Sequence, residues 1–250
     1  MRPESRVSKP GETFLLSELY LTVQGESSLV GVPTVFVRLY GCNLRCAWCD
    51  SMHAVEGGEF VERTVAAIVA EVRRLATGEG TETGRGLTHV CWTGGEPLLQ
   101  GASIARAVRD LPGYVVHSIE TDGEVSLGPF DGLVPSEREA GRVRYILDVK
   151  CPGSSVTARR AFENLRLLRS FDEVKFVILD RRDYEFARDV VRTRPIPTDT
   201  VLFSPANPAH RVGKGLDPAA LAGWILEDRL DVRLQPQVHK WIWPGRERGI

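Results

Sequence analysis

Apolar, β-rich runs recur along this 250-residue chain, and nearly all of them end in polar or glycine residues. The predicted strands are Thr34–Leu39, His89–Trp92, Tyr114–Ile119, Arg144–Val149, Glu173–Ile178, Thr200–Phe203 and Val232–Leu234. Stretches with apolar residues three and four apart lie between them, the spacing of amphipathic helices. The clearest are Thr64–Ala76 and Ala158–Arg169; Ser103–Asp110, Tyr184–Thr193 and Pro218–Asp228 follow the same pattern. Repeated strand–helix units predict an α/β fold with a mainly parallel sheet. In a parallel sheet curled into a barrel, chemistry gathers at the carboxyl ends of the strands. Here those ends carry Thr93-Gly94-Gly95-Glu96-Pro97, Glu120-Thr121-Asp122-Gly123, Asp148-Val149-Lys150, Ser204-Pro205 and Gln235-Pro236-Gln237. Their shared placement points to one common site.

The length suits one large domain with a proper core, expected over 1–250 with its centre at about 14–243. Phe14–Val23 is expected to add a hairpin-like strand. Thr77–Gly86 and Leu127–Gly141 read as exposed loops, the second with a turn of helix. A net charge of −1 gives no global field for nucleic acid. No apolar run is long enough to span a bilayer, and Met1–Pro10 lacks the apolar stretch of a signal peptide.

The first strand leads into Gly41-Cys42-Asn43-Leu44-Arg45-Cys46-Ala47-Trp48-Cys49-Asp50. Three of the five cysteines crowd this loop, a poor disulfide framework and a good metal site in a reducing compartment, so a cytoplasmic protein is expected. Thiolates suit iron–sulfur clusters and zinc. Structural zinc takes four ligands, commonly as two spaced pairs. No second pair exists here, although His53 or Cys91 could supply a lone ligand. Cys91, within a strand, reads as a small core residue. A four-iron cluster normally takes four cysteines, so three would leave one iron for a ligand that is not protein.

A CxxxCxxC loop after an apolar strand, followed one strand later by Gly94-Gly95-Glu96-Pro97, resembles the radical S-adenosylmethionine (SAM) enzymes. The resemblance implies a partial or modified TIM barrel, a [4Fe–4S] cluster on Cys42, Cys46 and Cys49, and SAM on the open iron, cleaved to a 5′-deoxyadenosyl radical. It places SAM against Gly94, Gly95 and Glu96, against Glu120, against Asp148, Val149 and Lys150, and against Gln235, Pro236, Gln237 and Val238. Asp122 stands where relatives often carry Asn.

Further stretches narrow the resemblance to the 7-carboxy-7-deazaguanine synthases. They are Glu18-Leu19-Tyr20-Leu21-Thr22-Val23-Gln24-Gly25-Glu26, Val35–Leu44, Trp48–Ser51, Asp148–Ser154, Glu173–Ile178 and Leu234–Lys240. That family contracts 6-carboxy-5,6,7,8-tetrahydropterin to 7-carboxy-7-deazaguanine with loss of ammonia, regenerating SAM and requiring Mg2+, in queuosine-type deazapurine biosynthesis. By resemblance Val23, Gln24, Gly25, Thr93 and His239 face the pterin, and Ser51 supplies a magnesium ligand where relatives often have threonine. Arg38 suits the substrate carboxylate, because guanidinium binds carboxylate through two parallel hydrogen bonds. A homodimer and a reducing partner such as flavodoxin or ferredoxin are implied. Relatives that end near the proline use their terminal carboxylate on substrate; the longer tail Trp243–Ile250 counts against that contact.

Two other readings share parts of this pattern. A radical SAM activase that installs a glycyl radical on a partner protein would share the cysteine loop and the glycine turn, but not Arg38 or the Gln24 and Gln235–Lys240 segments. A non-catalytic iron–sulfur or zinc protein would have no use for the polar strand ends. Metal analysis after anaerobic purification, with a SAM-cleavage assay, separates them.

Overall fold

The computed structural model describes residues 10–77, 86–157, 159–208 and 213–250. Residues 1–9 of the predicted polar start and 78–85 of the predicted loop lie outside this set, as does Ala158. Along the chain run β1 (Thr13–Val23), β2 (Pro33–Leu39), α1 (Met52–Val55), β3 (Val61–Thr64), α2 (Val65–Thr77), β4 (His89–Gly94), α3 (Gly101–Asp110), β5 (Val116–Thr121), α4 (Gly128–Asp131) and α5 (Pro135–Glu139). Then come β6 (Val143–Asp148), α6 (Ala161–Asn164), β7 (Glu173–Ile178), α7 (Arg181–Thr193), β8 (Thr200–Pro205), α8 (Pro218–Asp228), β9 (Arg233–Leu234) and α9 (Val238–Ile242). The strands form one sheet in the order β3-β1-β2-β4-β5-β6-β7-β8-β9. From β2 to β9 every neighbouring pair is parallel, while β1 lies antiparallel to β2 and β3 antiparallel to β1.

The predicted strands are present with small shifts. Tyr114 lies outside β5 and is 59% exposed, and Val149 follows β6 rather than ending it. β3 and α9 were not predicted. The predicted helix Ala158–Arg169 is only the single turn α6 followed by a 3-10 turn at Leu165–Leu167. Asn164 explains the break: its amide donates to the carbonyls of Gly123 and Val125 and its oxygen accepts from Leu127, which ties this stretch to the loop after β5. The stretch 127–141 holds two short helices, α4 and α5, instead of a mostly irregular loop.

Successive strand residues face opposite sides, and the two faces differ sharply. Val35, Val37, Leu39, Trp92, Ile119, Leu147, Val174, Phe176 and Ile178 are fully buried with Ile68, Val72, Ile104 and Val108 of α2 and α3 in one apolar core. Burial contributes about 1.5–3 kcal/mol for each large aliphatic or aromatic side chain. The other face presents Arg38, Thr93, Glu120, Asp148, Lys175 and Ser204 to an internal cavity. In β1 this alternation is broken by a bulge. Leu16 pairs with Leu39, yet Glu18 pairs with the adjacent Arg38, so Ser17 is an extra residue.

The curled sheet has no ladder joining β9 to β1 among the described residues. The C-terminal segment spans that side, where the Val238 N–H donates to the Gly25 carbonyl (3.0 Å). A Cβ at Gly25 would lie 2.1 Å from His239 Nδ1, so the close approach requires glycine.

At the amino ends of β6 and β7 the fold is pinned by charge. Arg138, fully buried, donates from both terminal nitrogens to the Asp172 carboxylate (2.7 Å each) and from one of them to the Val143 carbonyl. Asp172 also accepts from the backbone of Tyr145 and Arg169. Asp172→Ala would remove the doubly bonded partner of this guanidinium and leave it only the partly exposed Asp131, 3.0 Å from Nε. It is expected to destabilise the fold by about 3–5 kcal/mol, measured by denaturant unfolding.

Candidate active site

The cysteine loop connects β2 to α1 and is shaped by backbone contacts. Gly41 takes a φ of +101°, Gly95 N–H donates to the Leu39 carbonyl (3.0 Å), and Glu96 N–H to the Gly41 carbonyl (2.9 Å). Gly94 has a φ of +128°, and a Cβ there would meet the Leu39 carbonyl oxygen at 2.1 Å. A Cβ on Gly95 would meet the Gly41 carbonyl oxygen at 2.0 Å. The paired glycines therefore let the turn after β4 lie directly on the start of the cysteine loop.

Cys42, Cys46 and Cys49 are half-buried and line one cavity. Burial pushes the Cys42 thiol up to about 12, and raises Cys46 and Cys49 as well. Bound metal would reverse this, since coordination deprotonates a thiol. Among the described residues no three His, Cys, Asp or Glu side chains are gathered to hold a single ion; the thiols are arrayed along a wall. Three free thiols of this kind fit an iron–sulfur cluster, whose irons each take a separate ligand. Cys91 and Cys151 are fully buried and do not reach the cavity.

The same cavity gathers most of the residues expected from sequence. Val23, Gln24, Gly25, Arg38, Ser51, Thr93, Gly94, Gly95, Glu120, Asp148, Lys150, Gln237 and His239 all line it. Thr93 donates to Glu120 (2.8 Å), and the Gln24 amide donates to the other Glu120 oxygen (3.2 Å). Lys150 pairs with Asp148 through one carboxylate oxygen at 2.7 Å. The second Asp148 oxygen and the Ser204 hydroxyl are buried without a protein partner. Such polar atoms on a cavity wall suit a polar ligand such as SAM.

Five expected SAM contacts are not on the wall. Glu96 is buried, and its carboxylate accepts from Leu98 N–H, the Thr121 hydroxyl and Asp122 N–H. It clasps the turn after β4 to the end of β5. Val149 is fully buried on the apolar side, with its N–H on the Lys175 carbonyl. Gln235 is buried, with its N–H on the Phe203 carbonyl; Pro236 is exposed; and Val238 is used through its backbone.

Other wall residues were not anticipated. Lys175, in the middle of β7, forms an ion pair with Glu26, which also accepts from Gln237. Burial would raise the Glu26 carboxyl, but the Lys175 ammonium outweighs it and the group is held below its ordinary range. Asp50 accepts from Lys240 (3.0 Å) and, through its other oxygen, from Ser51 (3.0 Å). The alternation Glu173-Val174-Lys175-Phe176-Val177-Ile178 carried the signal for Lys175, since two charges on one face of a core strand imply a polar interior. Burial also lowers the pKa of His239, which favours a neutral imidazole. Ile250 of the tail lies on the cavity wall, and its main-chain oxygen accepts from the Tyr20 hydroxyl (3.0 Å).

Residues 36–175 match the family profile described as the radical SAM superfamily. The chain is 43% identical over 245 residues to a 7-carboxy-7-deazaguanine synthase of Koribacter versatilis, covering 94% of this chain and 99% of that one. It is 36% identical to the protein of that name from Methanospirillum hungatei, over 91% and 84% of the two chains. Among solved structures, QueE from Escherichia coli superposes with a TM-score of 0.63 at 20% identity, covering 91% of this chain and 95% of that chain. The cysteine loop, the glycine turn and near full-length identity to these relatives establish that the chain belongs to the 7-carboxy-7-deazaguanine synthase family of the radical SAM superfamily.

Proposed function

We propose that this chain, working as one domain, converts 6-carboxy-5,6,7,8-tetrahydropterin to 7-carboxy-7-deazaguanine and ammonia. The observation that carries the reading is the opening of Arg38 onto the same cavity as the three thiols. Product and ammonia together contain every atom of the substrate, so no external oxidant is consumed and SAM is regenerated. With the cluster on Cys42, Cys46 and Cys49, bound SAM supplies the hydrogen-abstracting radical.

The protein's work is orientation, which can contribute on the order of 7–11 kcal/mol in favourable cases. Arg38 holds the substrate carboxylate and so sets which ring carbon faces the thiol wall. Gln24, Gly25 and Thr93 offer acceptor and donor groups to a guanine-like edge. The turn at Gly94 and Gly95, Glu120 and the unpaired Asp148 oxygen would hold SAM. Ser51 and Asp50 are hard oxygen donors beside Arg38 and fit a magnesium ion that takes its remaining ligands from substrate and water. A small flavoprotein or ferredoxin delivers the electron, and two chains associate in a cytoplasmic dimer, which light scattering tests.

Anaerobically reconstituted protein, supplied with SAM, reductant and the carboxylated pterin, should yield 7-carboxy-7-deazaguanine by mass spectrometry; no product would overturn the reading. Cys42→Ala, Cys46→Ala and Cys49→Ala should each lose cluster iron and the broad visible absorbance, while Cys91→Ala and Cys151→Ala should keep both. Arg38→Ala should retain the cluster and SAM affinity yet lose turnover, with a penalty of about 2–5 kcal/mol in substrate binding. Ser51→Ala should flatten the dependence of rate on added magnesium, and Ser51→Thr should preserve it.

A further inference from the structure

Arg38 does not stand alone on β2. Its Nε donates to Glu18 (3.0 Å), one terminal nitrogen donates to the Ser51 hydroxyl (3.2 Å), and the other donates to the Tyr20 hydroxyl (2.7 Å). A guanidinium has five N–H donors in a rigid plane. These three contacts leave one N–H on each terminal nitrogen still to donate, and a carboxylate can accept from two such groups at once. Glu18 is itself held by His53, whose Nε2 lies 3.3 Å from the same oxygen. Tyr20 is stacked on Phe36 with ring centroids 5.5 Å apart, and its own hydrogen goes to the Ile250 carbonyl, which leaves an oxygen lone pair facing Arg38.

The backbone supports this arrangement. Leu16 belongs to the apolar core, so strict alternation would send Glu18 and Tyr20 to that same face. The extra residue Ser17 turns both toward the cavity side, where they lie across the ladder from Arg38 and Phe36. A bulge re-aims side chains in this way at the cost of one unpaired position.

We propose that Glu18, with Tyr20, is a positioning residue that holds the Arg38 guanidinium so that its free N–H pair faces the substrate carboxylate, and thereby sets selectivity for the carboxylated pterin. Neither residue lines the cavity; both act through Arg38. The inference rests on the substrate reading above.

The test compares binding of 6-carboxytetrahydropterin with that of tetrahydropterin lacking the carboxylate, by anaerobic titration of the reconstituted enzyme with SAM. Glu18→Ala should weaken the carboxylated ligand on the order of tenfold and leave the other ligand, iron content and SAM affinity unchanged. In an Arg38→Ala background the same substitution should have no further effect. Glu18→Gln, which keeps an acceptor at the same reach, should restore most of the selectivity. Tyr20→Phe, which keeps the stack on Phe36, should shift it in the same direction as Glu18→Ala, and reads the effect if that variant does not fold. Equal loss for both ligands, or undiminished preference in Glu18→Ala and Tyr20→Phe, overturns the inference alone. A wild-type enzyme with no preference for the carboxylated pterin overturns the substrate reading and this inference with it.

Discussion

Charge inside a barrel must be neutralised locally, because each ion taken from water costs several kcal/mol that only close partners offset. The inner face of this sheet obeys that constraint with three ion pairs, Glu18–Arg38, Asp148–Lys150 and Glu26–Lys175. Each has a different reach. Asp148 and Lys150 belong to one strand end, Glu18 and Arg38 to neighbouring strands, and Glu26 and Lys175 to a loop and a strand distant in the sheet. The first pair builds a local wall, the second a directed cation, and the third fastens the β1–β2 connection across the interior. Glu120, on the same wall, is held by the neutral donors Thr93 and Gln24, and the unpartnered Asp148 oxygen and Ser204 hydroxyl are left to the cavity.

Close backbone packing complements this electrostatic order. Gly94 at the end of β4 and Gly95 after it bring the turn against Leu39 and Gly41, at distances where a side chain would collide. Main-chain contacts fix the start of the cysteine loop and Trp48, packed in the apolar core, anchors its far end, while the three thiols line the cavity. Glu96 reinforces the arrangement from behind by gripping the end of β5.

Much of this was legible in the sequence, because strand–helix alternation and the polar strand ends are local signals. Glu173–Ile178 and Pro218–Asp228 fall at their predicted bounds, and the cysteine loop, Arg38, Gln24 and His239 converge as their positions implied. What escaped notice depends on tertiary context. The short edge strand β3 is exposed throughout and has no alternation to reveal it. A helical pattern at Ala158–Arg169 yields to the side-chain bonds of Asn164. The bulge at Ser17 inverts the faces of β1, which no period-two reading can detect. The alternation of β7 marks Lys175 as facing inward, but its pairing with Glu26 exists only once the loop and the strand meet.

The clasp between the two chain ends has an entropic consequence. Gln237 and Glu26 are bonded across 211 residues of sequence, and Val238 meets Gly25 over a similar span. Contacts of such separation carry a large loop-closure entropy until the intervening chain is ordered. The clasp therefore gains most when the sheet between its two ends is ordered, which ties the wall beside His239 to the integrity of nearly the whole chain between Gly25 and Val238.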